Sequence, residues 1–285
     1  VEFYGQMNFL KAGIVFADRI STVSKSYARE ICTPEYGYGL DGVLQKNRTR
    51  LSGILNGVDY SSWNPEVDPF IAANYTRSDL SGKSLCKQEL RKIFGLTGLP
   101  NGPLIGMVAR LVEQKGLDII LEAMPGILKT GADLVILGSG EDRYHQELRA
   151  MARRHRGRLG VRIGFDTPLA HKIEAGADLF LMPSRYEPCG LNQMYSLKYG
   201  TIPLVRATGG LEDSVREFDP TTGRGNGFKF KSYSARSLTS CVRQATLQYK
   251  RREGWNSLVQ NAMRADFSWK VTARKYLSLY ERMLG

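Results

Sequence analysis

Between residues 104 and 205, short apolar runs alternate with amphipathic stretches, and this alternation limits the folds open to the chain. The apolar runs are predicted strands at Leu104–Val108, Leu134–Leu137, Val161–Ile163, Leu179–Met182 and Pro203–Val205. Strands that are apolar throughout are buried on both faces, which is typical of a parallel sheet covered by helices. Right-handed crossovers then predict a doubly wound, Rossmann-like α/β domain.

Helical periodicity fills the intervals between these strands and continues toward the end of the chain. The predicted helices are Leu117–Lys129, Asp142–Arg154, Leu169–Glu174, Leu191–Tyr199, Glu212–Glu217, Ala235–Arg251 and Trp255–Leu284, the last with a break near Ser268. We expect the last two to pack on the outside of the domain. In such a sheet, ligands bind beyond the carboxyl ends of the strands.

The first part of the chain is separated from this alternation by a segment of different composition. Its predicted elements are a helix at Asn8–Ala17, a strand at Arg19–Val23 and a helix at Lys25–Ile31 with Ser24 as its N-cap. Asn56–Thr76 is rich in Asn, Asp, Pro and Ser, and we interpret it as a crossing between two bodies. Residues 1–55 are too few for an independent domain of this type. We therefore predict that 1–55 is the C-terminal part of a first Rossmann-like domain whose beginning is missing, and that 56–285 is the second domain.

Composition narrows the function classes. The apolar fraction of 42% and the charged fraction of 24% are typical of a soluble globular protein. No apolar run reaches the ~18–20 residues that a membrane span requires, so we expect no membrane association. The four cysteines lie far apart, with no CxxC pair and no histidine cluster, so we expect no metal site and no disulfide framework. A reducing compartment follows, either the cytoplasm or, in a plant, the plastid.

The net charge of +12 raises the question of nucleic-acid binding. The basic residues are spread along the chain, and the densest run, Arg153–Arg158, ends a predicted helix. A solvated helix end explains this run better than a nucleic-acid patch does. Positive charge also favours an anionic substrate such as a nucleotide diphosphate. We interpret His145, His155 and His171 as surface residues.

Two cations follow the first predicted strand, in the loop ARLVEQKG at residues 109–116. Arg110 comes directly after the strand, and Lys115 precedes a helix that begins at a glycine. Two cations on one short loop can converge on one anion, and the arginine fork fits phosphate oxygens. The alternative is a pair of solvated surface cations.

A carboxylate follows the fourth predicted strand, in the loop PSRYEPCGL at residues 183–191. Glu187 could accept hydrogen bonds from sugar hydroxyls or oppose positive charge that develops at an anomeric carbon. Gly190 opens the next predicted helix, where backbone N–H groups favour an anion. The alternative is a buried glutamate that caps this helix.

The remaining strand ends carry weaker signals. In IGFD, Phe165 could stack on a nucleotide base or could be a core aromatic. In RATGGL, Gly209 and Gly210 precede a predicted helix and would form a second site of backbone amides for an anion. The GxG of LGSGE is weak evidence alone. Two helix starts and two cations at one sheet edge together indicate a diphosphate site.

In this order, the segments NGVDYSSWNP, ARLVEQKGLD, PSRYEPCGLNQMYSLKYGTIPLVRATGGLEDSV and DFSW resemble the starch and glycogen synthases, a family of GT-B glycosyltransferases. The likeness covers essentially the whole chain, since YGQMNFLKAG, TVSKSYAREI and GYGLDGVL resemble the middle of such enzymes. EPCGLNQMYSLKYGT is highly specific, whereas the glycine pairs are generic. The resemblance implies a hexosyltransferase that transfers glucose from ADP-glucose to the nonreducing end of an α-1,4-glucan, with retention and with no metal or cofactor.

The resemblance also assigns roles to residues. Arg110 and Lys115 would hold the diphosphate and stabilise the leaving group, and Glu187 would contact the donor glucose. Backbone amides of the two glycine-containing loops would line the sugar-phosphate site, an aromatic ring would lie against the base, and an asparagine would face the glucose. The implied donor-binding residues are Asn56, Gly164, Phe165, Cys189, Gly190, Leu191, Tyr195, Thr208, Gly209 and Gly210.

The sequence departs from the family pattern in two ways. Tyr195 stands where many related retaining transferases have a second carboxylate, so we expect no carboxylate contact to the ribose. The Lys-Gly-Gly loop and the catalytic histidine of the family's first domain are not identifiable, which implies that a missing N-terminal domain is needed for activity. A nucleotide- or glucan-binding module without catalysis therefore remains an alternative, as does another GT-B glucosyltransferase that uses UDP-glucose. A sucrose- or trehalose-forming enzyme is disfavoured by EPCGLNQ and by Tyr195.

Overall fold

The structure is a computed structural model that describes residues 1–99 and 101–284. Its strands are β1 (Glu2–Phe3), β2 (Gln6–Met7), β3 (Ile20–Thr22), β4 (Leu51–Gly53), β5 (Leu104–Val108), β6 (Asp133–Gly138), β7 (Leu159–Ile163), β8 (Leu179–Met182), β9 (Ile202–Arg206) and β10 (Phe228–Phe230). Its helices are α1 (Phe9–Phe16), α2 (Lys25–Glu30), α3 (Asp41–Lys46), α4 (Ser81–Ile93), α5 (Leu117–Lys129), α6 (Asp142–Arg154), α7 (Thr167–Gly176), α8 (Asn192–Lys198), α9 (Gly209–Ser214), α10 (Ala235–Tyr249), α11 (Arg252–Arg264) and α12 (Trp269–Leu284).

The central sheet has six parallel strands in the order β10-β9-β8-β5-β6-β7. The chain therefore builds outward from β5 through β6 to β7, and then returns to the other side of β5 to add β8, β9 and β10. This reversal places a topological switch point between β5 and β8, where ligands bind in doubly wound sheets. All five predicted strands are confirmed, together with the parallel α/β class.

Helices cover both faces of this sheet. On β6, Leu134 and Ile136 are buried in the core cluster that contains α5 and α10. Val135 and Leu137 point to the opposite cluster, which contains residues of α4 and α7. Side chains alternate between the faces of a strand, so a strand buried on both sides is apolar at every position.

One helix prediction needs correction, and some elements were not predicted. The helix predicted at Glu212–Glu217 instead runs from Gly209 to Ser214, because the chain becomes extended at Val215, whose side chain is buried. The glycines that were expected to precede this helix are its first two residues. Helix α4 and strand β10 were not predicted, while the break near Ser268 is confirmed between α11 and α12.

The first part of the chain packs against the main sheet's helices. Strands β3 and β4 pair in parallel, and Ser24 caps α2 by accepting a hydrogen bond from the Tyr27 N–H, as predicted. Asp213 of α9 accepts hydrogen bonds from the backbone N–H groups of Lys25 and Ser26, and Glu30 at the other end of α2 accepts one from the Gly209 N–H, so α2 and α9 lie side by side and antiparallel. The division of the chain into domains at residue 55 stays a prediction.

The interpretation of His171 as a surface residue was wrong. The imidazole is buried, with Nδ1 2.8 Å from Asp68 Oδ2, and its ring stacks on Trp63 at a centroid distance of 3.8 Å. Both partners belong to the crossing segment 56–76, which folds over α7. A helical pattern cannot show this cover, because the covering residues lie about a hundred positions away.

Three further observations concern the described part of the chain. None of its helices combines the length and apolar character that crossing a membrane requires. Its four cysteine thiols are free, and no group of three His, Cys, Asp or Glu side chains among residues 1–99 and 101–284 is arranged to hold a metal ion.

Candidate active site

A cavity of about 350 Å³ lies at the carboxyl ends of β5 and β8, at the switch point of the sheet. Its lining residues are Met107, Val108, Ala109, Arg110, Lys115, Leu181, Met182, Ser184, Glu187, Gly190, Leu191 and Asn192. The cavity therefore brings together all three residues predicted to be catalytic and two of those predicted to bind the donor. Its volume lies at the lower end of the usual range for small-molecule sites, about 300–1,000 Å³.

An ion pair joins the two loops that border this cavity. Lys115 Nζ lies 2.5 Å from Glu187 Oε2, and Ser184 Oγ donates to the same oxygen at 3.0 Å. Only 18% of the lysine side chain and 8% of the glutamate side chain are exposed. Helix α8 begins at Asn192 without a side-chain cap, so Glu187 faces a cation and the cavity rather than capping this helix.

Arg110 occupies the outer side of the cavity. Its side chain is exposed, and Nη2 donates a hydrogen bond to Gln114 Oε1 at 3.1 Å. Within residues 1–99 and 101–284, its guanidinium has no carboxylate within 4 Å. This cation can therefore turn toward an anionic ligand without breaking an ion pair.

Close backbone packing holds the loops after β5 and β8 together. Gly116 has φ +77°, and a Cβ at this position would lie 2.3 Å from the Pro183 carbonyl oxygen. Gln114 Nε2 donates to the Tyr186 carbonyl oxygen at 3.2 Å. Asn192 Nδ2 donates to the Val108 carbonyl oxygen at 2.7 Å, which links the start of α8 to the end of β5.

The loop that carries Glu187 is also held by contacts with α8 and α9. The Gln193 amide nitrogen donates to the carbonyl oxygens of Cys189 and Gly190, both at 3.0 Å. Gly190 has φ +69°, a conformation that favours glycine. A Cβ on Gly210 of α9 would lie 1.9 Å from the Cys189 carbonyl oxygen. Glycine at this position therefore allows α9 to pack directly on the loop.

The start of α9 does hold an anion, but the anion belongs to the chain itself. Glu30 Oε1 accepts hydrogen bonds from Thr208 Oγ1 at 3.0 Å and from the Gly209 N–H at 2.8 Å. The other carboxylate oxygen of Glu30 is buried without a hydrogen-bond partner in the described part of the chain. Thr208, Gly209 and Gly210 do not line the cavity, so in this structure the predicted amide site is separate from the cavity.

The other predicted donor-binding residues do not line the cavity. Phe165 follows β7 and is 90% exposed, so the alternative of a core aromatic was wrong. The neighbouring Gly164 has φ +141°. Tyr195 of α8 stacks on Trp63 at a centroid distance of 4.1 Å, which turns its ring toward the crossing segment. The backbone of Asn56 contacts the thiol of Cys189.

Burial explains why this thiol is not a nucleophile. The Cys189 side chain lies in a cluster with Val58 and Met194, and its burial raises the pKa of the thiol to about 11. At neutral pH the thiol therefore stays protonated, and the thiolate is the reactive form. Cys189 contributes to the site through its backbone.

Sequence reasoning missed three side chains that shape the site: Gln114, Ser184 and Asn192. Two of them lie inside the segments ARLVEQKGLD and PSRYEPCGL, so their position beside the predicted residues was available as a signal. Glu30 was also missed. Glu30 lies in a predicted helix that is distant along the chain from the predicted sheet, and no local pattern connects this residue to the start of α9.

Comparisons with known proteins agree with this architecture. The family described as "Glycosyl transferases group 1" matches residues 91–261, and "Starch synthase catalytic domain" matches residues 1–46. The chain is 49% identical over 284 residues to a glycogen synthase of Koribacter versatilis, covering 99% of this chain and 58% of that protein. It is 51% identical over 285 residues to glycogen synthase 1 of Geobacter metallireducens, covering 100% of this chain and 57% of that protein.

A solved structure also matches along most of the chain. The catalytic domain of starch synthase IV from Arabidopsis thaliana, bound to ADP and acarbose, superposes with a TM-score of 0.89 and 39% identity. The match covers 96% of this chain and 57% of that chain. It confirms the GT-B-type fold. The chain thus spans less than two thirds of the length of these relatives.

Proposed function

Because this chain belongs to the group 1 glycosyltransferases and is similar along its length to glycogen synthases, we propose that it forms the sugar-nucleotide-binding part of a retaining glucosyltransferase. The reaction is transfer of glucose from ADP-glucose to the nonreducing end of an α-1,4-glucan. One observation carries the proposal: Arg110, Lys115 and Glu187 lie on two loops around one cavity at the switch point of the sheet.

The donor's diphosphate fits the two cations of this cavity. Breaking the anomeric C–O bond leaves negative charge on the diphosphate and positive, oxocarbenium character on the sugar. Arg110, turned in from the outer side of the cavity, and Lys115 neutralise the first charge. Glu187, already held against Lys115, accepts hydrogen bonds from the glucose and opposes the second charge. ADP as the nucleotide is supported by the ADP-bound starch synthase that the chain resembles.

A front-face reaction accounts best for retention of configuration at the anomeric carbon. The C1–O bond breaks, and its electron pair moves to the departing phosphate oxygen. The acceptor hydroxyl forms the new bond on the same face of the sugar and gives its proton to that phosphate oxygen. The Cys189 thiol is buried and protonated, and the Glu187 carboxylate is engaged by Lys115, so neither is an activated nucleophile for a covalent intermediate, which favours this route.

Three parts of the proposal go beyond the cavity. The glucan acceptor and the need for a preceding domain rest on the resemblance, and the cytoplasm remains the predicted location. UDP-glucose is the alternative donor, because base choice depends on the surroundings of the exposed Phe165.

Titration calorimetry with ADP and with UDP, together with transfer of radiolabelled glucose to glycogen, tests the proposal. We expect ADP to bind more tightly than UDP, and Arg110→Ala, made in a full-length version that includes the preceding domain, to reduce turnover about 10²–10³-fold, as loss of a preorganised charge contact does. Near wild-type turnover in this variant would contradict the assigned role. ADP binding without any transfer would instead favour a nucleotide-binding module.

A further inference from the structure

A second and larger cleft, of about 880 Å³, shares no lining residue with the candidate active site. One wall is formed by Lys25 and by residues 53–55 at the end of β4. The other wall is formed by residues 213–214, 216–217 and 223–226 after β9, by residues of α11 and α12, and by residues 265–267 between these two helices. The cleft therefore lies between the first part of the chain and the outer helices.

Cations dominate the exposed side chains of this cleft. The five that line it are Lys25, Arg216, Arg224, Arg264 and Lys275. In the part of the chain that the structure describes, none of the five cationic groups has a carboxylate oxygen within 4 Å, and none donates a hydrogen bond. Their charges are therefore available to a ligand.

The three carboxylates of the same lining are already engaged. Asp213 accepts hydrogen bonds from the N–H groups of Lys25 and Ser26 and from the Ser26 hydroxyl. Glu217 accepts from the Lys229 N–H at 2.6 Å, and Asp266 accepts from the Ser268 N–H at 2.8 Å. These bonds direct the carboxylates to backbone donors rather than to the five cations.

One of the five cations, Arg224, lies on a turn whose backbone is held by hydrogen bonds. Arg224 lies between Gly223 and Gly225, which have φ +67° and +104°. Asn261 of α11 donates its side-chain N–H groups to both glycine carbonyl oxygens, at 2.7 and 3.0 Å. The backbone of this turn is therefore fixed against α11, so presenting its arginine at the cleft requires no ordering of the backbone on binding.

We propose that this cleft binds a phosphate monoester of a small polar organic molecule. Five cations and three carboxylates give the lining a formal charge of +2, and a phosphate monoester carries about −1.5 to −2 at neutral pH. Arginine forks suit phosphate oxygens. The volume is much larger than inorganic phosphate needs, and Ile54, Leu55 and Phe267 supply an apolar wall for the organic part.

Titration calorimetry at low ionic strength tests the cleft, with ADP present at saturation so that the candidate active site is blocked. The probes are ribose 5-phosphate, glycerol 3-phosphate and inorganic phosphate. We expect the esters to bind more tightly than inorganic phosphate, and Arg224→Gln/Arg264→Gln to weaken them at least tenfold. The control Arg153→Gln/Arg154→Gln removes the same charge from the exposed end of α6 and should change affinity less than twofold.

Several results would overturn this inference. The inference fails if neither ester binds, if both double variants weaken the esters equally, or if inorganic phosphate binds as tightly as the esters. Should the double variant lose its folded melting transition, Lys275→Gln at an exposed position of α12 replaces it, with an expected loss of at least threefold. Failure of ADP to bind would contradict the proposed function, while the same titration without ADP would still test the cleft.

Discussion

Replacing Lys115 with methionine separates its structural role from its proposed role in donor binding. The lysine is the ion-pair partner of Glu187, whose side chain is only 8% exposed. Removing one partner of a buried pair costs about 3–5 kcal/mol, because a desolvated charge is left uncompensated. Lys115 is itself 18% exposed and Ser184 still donates to the carboxylate, so we expect the lower end, about 3 kcal/mol. At roughly 2–4 °C per kcal/mol, Tm should fall by about 6–12 °C.

The double variant Lys115→Met/Glu187→Gln distinguishes stability from binding. The neutral amide keeps an acceptor for Ser184 and needs no cation, so most of the lost stability should return, to within about 1 kcal/mol of the original protein. ADP binding should not return, because hydrogen bonds to a charged group contribute about 1.5–3 kcal/mol, or roughly 10–150-fold in Kd.

Thermal unfolding and ADP calorimetry on the single and double variants provide the measurements, with Glu187→Gln alone as the matched control. That control frees Lys115 for the diphosphate and should bind ADP at least as well as the original protein. The reasoning fails if Lys115→Met binds ADP normally, or if the double variant regains ADP affinity together with its stability.

Three other predictions concern packing, pH and the base. Gly210→Ala places a Cβ 1.9 Å from the Cys189 carbonyl oxygen and should lower the free energy of unfolding, measured in urea, by about 1–3 kcal/mol. The control Gly13→Ala, whose Cβ would have no atom within 4 Å, should be neutral or slightly stabilising. Equal effects of the two substitutions would contradict the packing argument. Burial raises the pKa of the Glu174 carboxyl above its ordinary value, so its protonated form stabilises the fold below the unfolded pKa, and this contribution is lost as the pH rises through the folded value. Glu174→Gln should therefore lose less unfolding free energy than the original protein between pH 5 and pH 8, and an unchanged pH slope would argue against it. Phe165→Ala should weaken ADP binding about 5–150-fold, because base stacking contributes ~1–3 kcal/mol. Tm and the binding of pyrophosphate should not change. Weakened pyrophosphate binding would show that the ring acts on the diphosphate side instead.

The sheet and the position of its site could be read from the sequence because both depend on local patterns. Leu104–Val108 and Leu179–Met182 are apolar at every position, which only a doubly covered strand requires. Polar loops follow these runs directly, so Arg110 and Glu187 lie at the carboxyl edge of the sheet whatever the order of its strands. Helix ends were harder to place, as the error at α9 shows, because glycine can begin a helix as well as precede one.

Tertiary structure alone decided which of these groups meet. Lys115 and Glu187 are 72 residues apart, and their contact depends on β8 returning beside β5. Glu30 reaches the start of α9 across 179 residues, where it occupies donors that were predicted for a phosphate. His171 is buried because a distant segment folds over α7. A sequence pattern records which face of an element is apolar, but the partner that covers that face is fixed only when the whole chain has packed.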